Sequence, residues 1–445
     1  MSLSVKDSSQ FKINEVSIVT KLGLFDITSV FIELNLFDSI FMPVMSGNIL
    51  ITDSVGMSSR FLFDGSETIL IDIGKDGNSD IARIKKAYRI YKQSNRKNAN
   101  QNSESYILHF VSDELMYSDQ QKINQSYEAS YSTIVEKILL DYLKVPKNQL
   151  NGIYEKTSGI RKVIIPNLRP LDAIEWCAKR AIDNQNSPNY VFFNNLIGYN
   201  FVSLSTLLTK EQIMDIKFEP QNLTQRNAIQ QLNNARSFEV VMQNDSIDKT
   251  RSGVNAGKFI GFDPITKMFA TRNISYADHY SSMKHGNEKP NYSAIRNRDN
   301  KFNDVSFDAR KVLSSFGTAR KYSEYIKKND GASISKDESY ENFLFQRKAI
   351  FKNLTNKRLK LVMPGNFQLS SGFNVNFSAP TYAIKEKGDS NEDITLSGKY
   401  IIVAARHTIS YNKHETIIEV ASSSTNNPYI NASIPEQNDK LLNYT

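Results

Sequence analysis

The chain has 445 residues with a net charge of +8, and 40% of its residues are hydrophobic. This length predicts two to four domains, and the low Gly and Pro content argues against a low-complexity protein. We find no apolar stretch of signal-peptide or membrane-spanning length, and the single cysteine, Cys177, excludes an intrachain disulfide or a cysteine-based zinc cluster. We therefore expect no stable membrane contact, and we expect Cys177 to be a buried, inert thiol.

Residues 1–116 have the pattern of short antiparallel strands. Apolar side chains alternate through Val30–Leu36, Ile49–Ile51 and Ile69–Ile73, and Pro, Gly and Asp residues between these segments favour tight turns. The polar segment Ser94–Ser105 is predicted to be a solvated loop or a hairpin tip. The sequence thus predicts a first β-domain over residues 1–116.

Residues 117–206 change to an α/β pattern. Ile134 and Ile138 fall on one helical face, with Ser132 as the predicted N-cap. A second helix is predicted to begin at Pro170, because proline suits the first turn of a helix. Two strands are predicted to follow: Tyr190–Phe193 and Asn200–Ser203.

The rest of the chain predicts a second β-domain in two pieces, residues 207–240 and 355–424. Within it, Tyr400–Ala405 is predicted to pair with Thr416–Ala421. Residues 425–445 have lost hydrophobic periodicity, and we expect a C-terminal tail there.

A basic insert, residues 241–354, separates the two pieces of that domain. Lys and Arg clearly outnumber Asp and Glu between Met242 and Lys360, and Glu341–Lys352 has the pattern of a helix. Such a region favours an acidic partner, which could be nucleic acid, a membrane surface or an acidic protein face. The alternative is a solvated surface that keeps the protein in solution.

The sequence offers no arrangement of residues that is typical of catalysis or metal binding. His109 lies in a predicted strand, and His279 and His285 have no carboxylate at ligand spacing. His414 is followed by Glu415 but not by a second histidine at helical spacing, and neither a nucleophile elbow nor a nucleotide-binding glycine loop occurs. We therefore expect no catalytic, cofactor-binding or metal-binding residue and no cofactor.

Three groups of motifs carry a resemblance to a known family. An acidic-aromatic step, a Pro-to-Gly turn, a strand ending in Thr-Asp and a Gly-x-Glu occur in that order at Asp38–Phe41, Pro43–Gly47, Ile49–Asp53 and Gly65–Glu67. A middle group lies at Val163–Ile174 and Asn189–Phe193, and a late group at Met363–Val375 and Leu396–Ile402. In this order the motifs resemble the baseplate central hub subunit of contractile-tailed bacteriophages, which is related to the hub region of type VI secretion spike proteins.

The resemblance implies a β-rich mixed α+β fold, with two tube-type antiparallel β-barrel domains, an α/β insert and a second, irregular basic insert. It implies a structural, non-enzymatic homotrimer whose six β-domains form a pseudo-sixfold ring between the sixfold tail tube and the threefold cell-puncturing spike. The implied partners are the spike protein, the tail tube or tube-initiator protein, baseplate wedge proteins, and phage DNA in transit. The implied location is the virion tail baseplate, assembled in the host cytoplasm.

Two surfaces are candidates for these contacts. The candidate subunit interface is the loop containing Asp38, Phe41, Met42 and Met45, where large apolar residues stand at a turn. The alternative is that these residues pack on their own domain. The candidate basic partner surface comprises Lys284, Arg296, Arg298 and Arg310, which we expect to face an acidic baseplate protein rather than the DNA channel.

Other functions are alternatives to a phage hub. The chain could belong to a type VI secretion or other contractile injection machine, although no β-helix repeats of a fused spike occur in it. It could bind nucleic acid through the basic insert, with Tyr276, Tyr280, Tyr292 and Tyr322 as stacking platforms. An enzyme is a further alternative, but carboxylate pairs such as Glu338 and Glu341 are common on solvated helix faces, and nothing in the sequence supports catalysis.

Overall fold

The structure is a computed structural model. It describes residues 11–60, 63–74, 83–100, 103–147, 150, 152–184, 187–219, 231–252, 256–263, 268–275, 280, 284–287, 289–290, 295–296, 302–303, 311–314, 344–381 and 392–426.

The strands and helices follow the chain in three blocks. The first block comprises β1 (Lys12–Thr20), β2 (Gly23–Asp26), β3 (Phe31–Ser39), β4 (Ser46–Asp53), α1 (Met57–Arg60), β5 (Thr68–Gly74), β6 (Arg83–Asn100) and β7 (Ser103–Val111). The second block comprises α2 (Asp113–Asp119), β8 (Ser126–Ala129), α3 (Tyr131–Asp141), β9 (Arg161–Ile164), α4 (Pro170–Ala178), β10 (Tyr190–Asn194), β11 (Tyr199–Ser203) and α5 (Leu204–Thr209). The third block comprises β12 (Gln212–Lys217), β13 (Ser237–Met242), α6 (Ser246–Ser252), β14 (Ala256–Asp263), β15 (Met268–Ser275), β16 (Lys289–Pro290), β17 (Ile295–Arg296), β18 (Phe302–Asn303), β19 (Lys311–Ser314), α7 (Leu344–Asn356), β20 (Arg358–Pro364), β21 (Asn374–Ser378), β22 (Gly398–Ser410), β23 (Lys413–Ala421) and β24 (Ser424–Thr425).

The dominant feature is one 13-stranded sheet, whose main path runs β13-β20-β23-β22-β3-β4-β7-β6-β5-β1-β2. The predicted β-rich α+β class is therefore confirmed. Two closed barrels were expected, but the described strands form one continuous open sheet. The reason is that β22 pairs along one edge with β23 and along the other with β3, which joins the early and late strands side by side.

The two halves of this sheet have the same strand order. In the first half, which comprises β1–β7, the path β3-β4-β7-β6-β5-β1 follows the hydrogen bonds. In the second half, which comprises β12, β13 and β20–β23, the path is β13-β20-β23-β22-β21-β12. Taken in chain order, each of the six strands on one path has a counterpart at the same place on the other. Two details differ: β2 has no counterpart among the described strands, and β1 pairs antiparallel with β5 whereas β12 pairs parallel with β21.

Each half has its own apolar core, produced by period-2 alternation along the strands. Leu34, Ile49 and Leu108 are buried in the first core, and Leu361 and Ile418 in the second. The segment 94–105, predicted as a solvated loop or a hairpin tip, belongs to the outer end of the β6–β7 hairpin, where β6 continues to Asn100, is exposed and pairs with β7. The predicted pairing of 400–405 with 416–421 is confirmed by β22 and β23.

The second block packs as a separate α/β layer with its own core. Helix α4 begins at Pro170, as predicted. The N-cap of α3 is Ser130 rather than Ser132, because the Ser130 side chain accepts a hydrogen bond from the Thr133 amide at 3.3 Å. Ser132 is buried in the first turn, where its hydroxyl accepts from the Thr157 amide instead. Cys177 is buried in the same core, and burial raises the pKa of its thiol to about 12.

The region predicted as a basic insert contains short paired strands and α7. Strands β14, β15 and β19 form a small sheet, and α7 begins at Leu344, within the predicted helix. Residues 422–425, expected to lead into an extended tail, are buried. Their burial follows from Asn287, whose amide nitrogen donates to the Ser424 hydroxyl at 2.9 Å and whose side chain donates to the Ser422 hydroxyl at 3.0 Å.

Candidate interaction site at the seam of the sheet

The seam is the line along which β3 of the first half pairs with β22 of the second. Its register runs antiparallel from Ala404 opposite Ser39 to Ser410 opposite Glu33. The pairing is continued beyond β3 by the Ile40 amide, which donates to the Val403 carbonyl at 3.0 Å. Through these bonds one chain places two β units edge to edge.

A polar cluster around Asn35 reinforces one face of the seam. The Asn35 side-chain oxygen accepts from Arg406 Nε at 3.0 Å and from Thr408 Oγ1 at 2.9 Å. The Asn35 amide donates to Asn48 on β4 at 3.0 Å. Arg406 also lies 3.6 Å from Glu33. A buried amide without a hydrogen-bond partner destabilises the folded protein. The cluster therefore favours the register of β3 against β22 in which Asn35 makes these hydrogen bonds.

Asp38 lies on the opposite face of β3 and is buried within the chain. Its carboxylate accepts from the Ser370 hydroxyl and from the Ser371 amide at 3.3 Å. Burial raises the pKa of Asp38 to about 6, and the two serine hydrogen bonds and the charge of Lys86 limit that rise. This predicted interface residue therefore contacts the second half of its own chain.

Met45 is also buried, beneath the side chain of Lys86. The Lys86 ammonium lies 3.4 Å from the Met45 sulfur and donates to the Asn195 carbonyl at 2.7 Å. Asn195, in the turn between β10 and β11, donates in turn to the Ser371 carbonyl at 2.9 Å. Burial lowers the pKa of Lys86 to about 8, opposed by the charge of Asp38. Three parts of the chain thus meet at one polar junction.

Phe41 and Met42 are the two members of the predicted set that face outward. They stand on the turn between β3 and β4 and are 47% and 54% exposed. Met42 borders a groove of about 290 Å³ on the exposed face of the seam, whose other apolar walls include Phe37, Val44 and Val241. Exposed aromatic and methionine side chains at a groove are typical of protein–protein contacts.

The predicted basic partner surface is only partly described. Lys284 is exposed, and Arg296 lies in the short strand β17. Arg298 and Arg310 lie outside the described residues, as do Tyr276, Tyr292, Tyr322, Glu338 and Glu341. Tyr280 stacks on His285 with ring centroids 3.6 Å apart, so its ring face is already occupied within the chain.

The histidines among the described residues contact other side chains of the same chain. His109 exchanges a hydrogen bond with Ser94 at 2.7 Å. His407 and His414 are buried around Phe367, and burial lowers the pKa of His407 to about 4. Among the described residues, no three His, Cys, Asp or Glu side chains are grouped so as to hold a metal ion, and none of the helices is long and apolar enough to cross a membrane.

The same strand arrangement occurs in solved structures of tail proteins. A tail protein from Neisseria meningitidis aligns over 93% of this chain and 97% of its own length, with 10% identity and a TM-score of 0.51. The prophage MuSo2 43 kDa tail protein from Shewanella oneidensis aligns over 92% of this chain and 98% of its own, with 8% identity and a TM-score of 0.51. This chain shares the fold of tail proteins.

A lower-scoring neighbour is a component of the E. coli type VI secretion system, itself described as similar to bacteriophage T4 tail proteins. It aligns over 93% of this chain and 77% of its own length, with 9% identity and a TM-score of 0.41. No protein-family model matches the chain and no curated protein matches its sequence. The likeness to tail proteins is therefore one of fold and not of sequence.

Proposed function

We propose that this chain is the structural hub subunit of a contractile-tail baseplate, a homotrimer that joins the sixfold tail tube to the threefold spike. The observation that carries the proposal is the repeated strand order of the two halves, joined edge to edge at the β3–β22 seam. Three such chains supply six similar β units around a threefold axis, which matches a sixfold neighbour on one side and a threefold neighbour on the other.

The proposed role is non-enzymatic, and its partners are the spike, the tail tube or tube-initiator protein, and baseplate wedge proteins. Phe41 and Met42 are the residues of the β3–β4 turn that remain available for such a contact, because Asp38 and Met45 are occupied inside the chain. The basic surface around Lys284 would face an acidic wedge protein rather than the bore. The assembled protein would reside in the virion tail after assembly in the host cytoplasm.

Passage of DNA through the ring requires a bore that does not bind the phosphate groups of the DNA backbone tightly. The exposed face of the sheet at the seam and on the neighbouring strands β23, β20 and β13 supports this, because its cations lie beside carboxylates of adjacent strands. Arg358 lies 2.9 Å from Glu419, Lys360 lies 3.7 Å from Glu239, and Arg406 lies 3.6 Å from Glu33. A bore lined by such pairs would release few counterions on contact with DNA and would therefore bind it weakly.

The proposal is tested by the mass of the purified full-length chain in solution, measured by light scattering over a hundred-fold concentration range. We expect a trimer at the upper concentrations and, by electron microscopy, rings with a central hole. A strict monomer at every concentration would contradict the hub assignment. A stable dimer or an open filament would contradict it as well, because neither reconciles sixfold with threefold symmetry.

A further inference from the structure

Among the described strands, one edge position is paired in the first half of the sheet and its counterpart is unpaired in the second. Strand β3 ends the first half and is paired on that side by residues 404–410 of β22. Its counterpart in the second half is β13, which pairs with β20 on one side. Within the described residues, no strand pairs with the other side of β13. An unpaired edge of this kind is a template for another strand.

A second strand edge that lacks a partner among the described strands lies on β6. Strands β6 and β22 are counterparts, and each is long enough to pair with two neighbours on the same edge. On β22 that edge is shared between β21, at residues 398–401, and β3, at residues 404–410. On β6 the same edge pairs with β5 through residues 83–89, and no described strand pairs with the remainder, residues 91–100.

The two free edges are complementary in charge and in apolar character. Strand β13 presents Glu239, whose side chain is 68% exposed and whose contact with Lys360 is long, at 3.7 Å, beside the exposed Val240 and Val241. The free part of β6 presents the exposed Tyr91 together with Lys92 and Lys97, and neither lysine has an ion pair among the described residues. Opposite charges at facing strand positions favour pairing and help to fix the register.

We propose that each copy of this chain pairs β13 with residues 91–100 of β6 in the next copy, repeating between chains the contact that β3 and β22 make within one. This inference rests on the proposed trimeric hub and names the strand edges that hold it together. Three seams within chains and three between chains then close one ring. The interface is head-to-tail, so three copies close into a ring only if each step turns by a third of a full turn without a rise along the axis.

The internal seam also predicts the register of the new one. The hairpins β22–β23 and β6–β7 close at Ser410 and Asn100, and these ends are taken as equivalent. Likewise, Phe37 pairs with Ser46, the first residue of β4, and Met242 pairs with Arg358, the first residue of β20. Phe37 and Met242 are therefore taken as equivalent too. Carrying the β3–β22 register across pair by pair, so that the bulge residues Val241 and Ala99 are skipped, places Glu239 opposite Lys97 of the next copy.

The test is disulfide trapping in the full-length chain. Oxidation of the variant carrying Glu239→Cys and Lys97→Cys should give a covalent trimer on a denaturing gel, while each single variant should remain monomeric there. Disulfides form only where Cα atoms come within about 7 Å, so the reaction reports this register. Cys177 does not compete, because it is buried and its thiol pKa is raised to about 12. The matched control carries Glu239→Cys and Leu24→Cys, which joins β13 to the exposed strand β2 at the other end of the sheet.

Charge exchange provides a second readout that does not depend on cysteine chemistry. Glu239→Lys and Lys97→Glu should each weaken association about 3-fold, the size of an exposed ion pair, and the double variant should restore it. A trimer by mass that is not trapped through Glu239 and Lys97, or that is trapped through Leu24, would overturn the strand assignment and leave the hub proposal in place. A wild-type chain that is monomeric at every concentration would overturn both.

Discussion

The β3–β22 seam and the free edge of β13 occupy the same place in two halves of one sheet, but their surroundings differ. At the seam, Asn35 and Asp38 are buried and hydrogen-bonded to residues far along the chain. Along β13, Glu239, Val240 and Val241 are exposed. In the proposed ring, one copy of the contact belongs to folding, while the other serves assembly. Substitutions at the seam should therefore lower the stability of the chain, and substitutions at the free edge should lower association.

The largest effect is expected at Asp38, through its protonation. Burial raises the pKa of this carboxyl from 3.8 to about 6, so the folded chain binds the proton more tightly than the unfolded chain does. Its contribution to stability is therefore complete below about pH 4 and is lost as the pH rises through about 6, a difference of about 3 kcal/mol. Asp38→Asn should remove this loss. Urea unfolding between pH 4 and pH 7 measures it.

The matched control for that series is Asp141→Asn, at the exposed end of α3. It should leave the decline between pH 4 and pH 6 unchanged, since this carboxylate is not buried at the seam. If the Asp38→Asn chain loses as much stability over this range as the wild type does, Asp38 is not the group responsible. A buried carboxyl group would then not distinguish the seam from the free edge of β13.

The second-largest effect is expected from overpacking at Gly47, where β4 pairs with β3. A Cβ atom on Gly47 would stand 2.4 Å from the ring of Phe110 and 2.5 Å from the Asn35 carbonyl oxygen, so only glycine fits there. Gly47→Ala should lower the free energy of unfolding by about 1–3 kcal/mol, the usual cost of overpacking. Gly74→Ala is the control, because a Cβ there would make ordinary contact with Arg83 at 3.4 Å. Equal losses in the two variants, measured by denaturant unfolding, would contradict this account.

Local features of the fold were predictable from sequence, because they depend on neighbouring residues. The start of α4 at Pro170 and the pairing of β22 with β23 follow from proline chemistry and period-2 alternation. The cap at Ser130 was missed because Ser132 lies only two residues away and has the same side chain. Only the hydroxyl of Ser130 points at a free amide.

The seam was not predictable, because its contacts join residues more than 300 positions apart. Asn35 meets Arg406 across 371 residues, and Asp38 meets Ser370 across 332. Nothing in the alternation of β3 distinguishes a strand that pairs within its own unit from one that also pairs with a second unit. For the same reason Asp38 and Met45 looked like exposed loop residues, whereas Phe41 and Met42 are the ones that reach solvent.

The smallest effect is expected from Asn35→Ala, which separates folding from assembly directly. The substitution removes the acceptor used by Arg406 and Thr408 and should lower the free energy of unfolding by about 1–2 kcal/mol. The solution mass of the folded protein should not change, because this site is internal. Asn98→Ala is the matched control on the free part of β6, where the side chain is exposed. It should change the unfolding free energy by less than about 0.5 kcal/mol, and any effect should be on association. A loss of association in Asn35→Ala without a loss of stability would reverse these roles, and β3 would then have to be counted as an assembly edge.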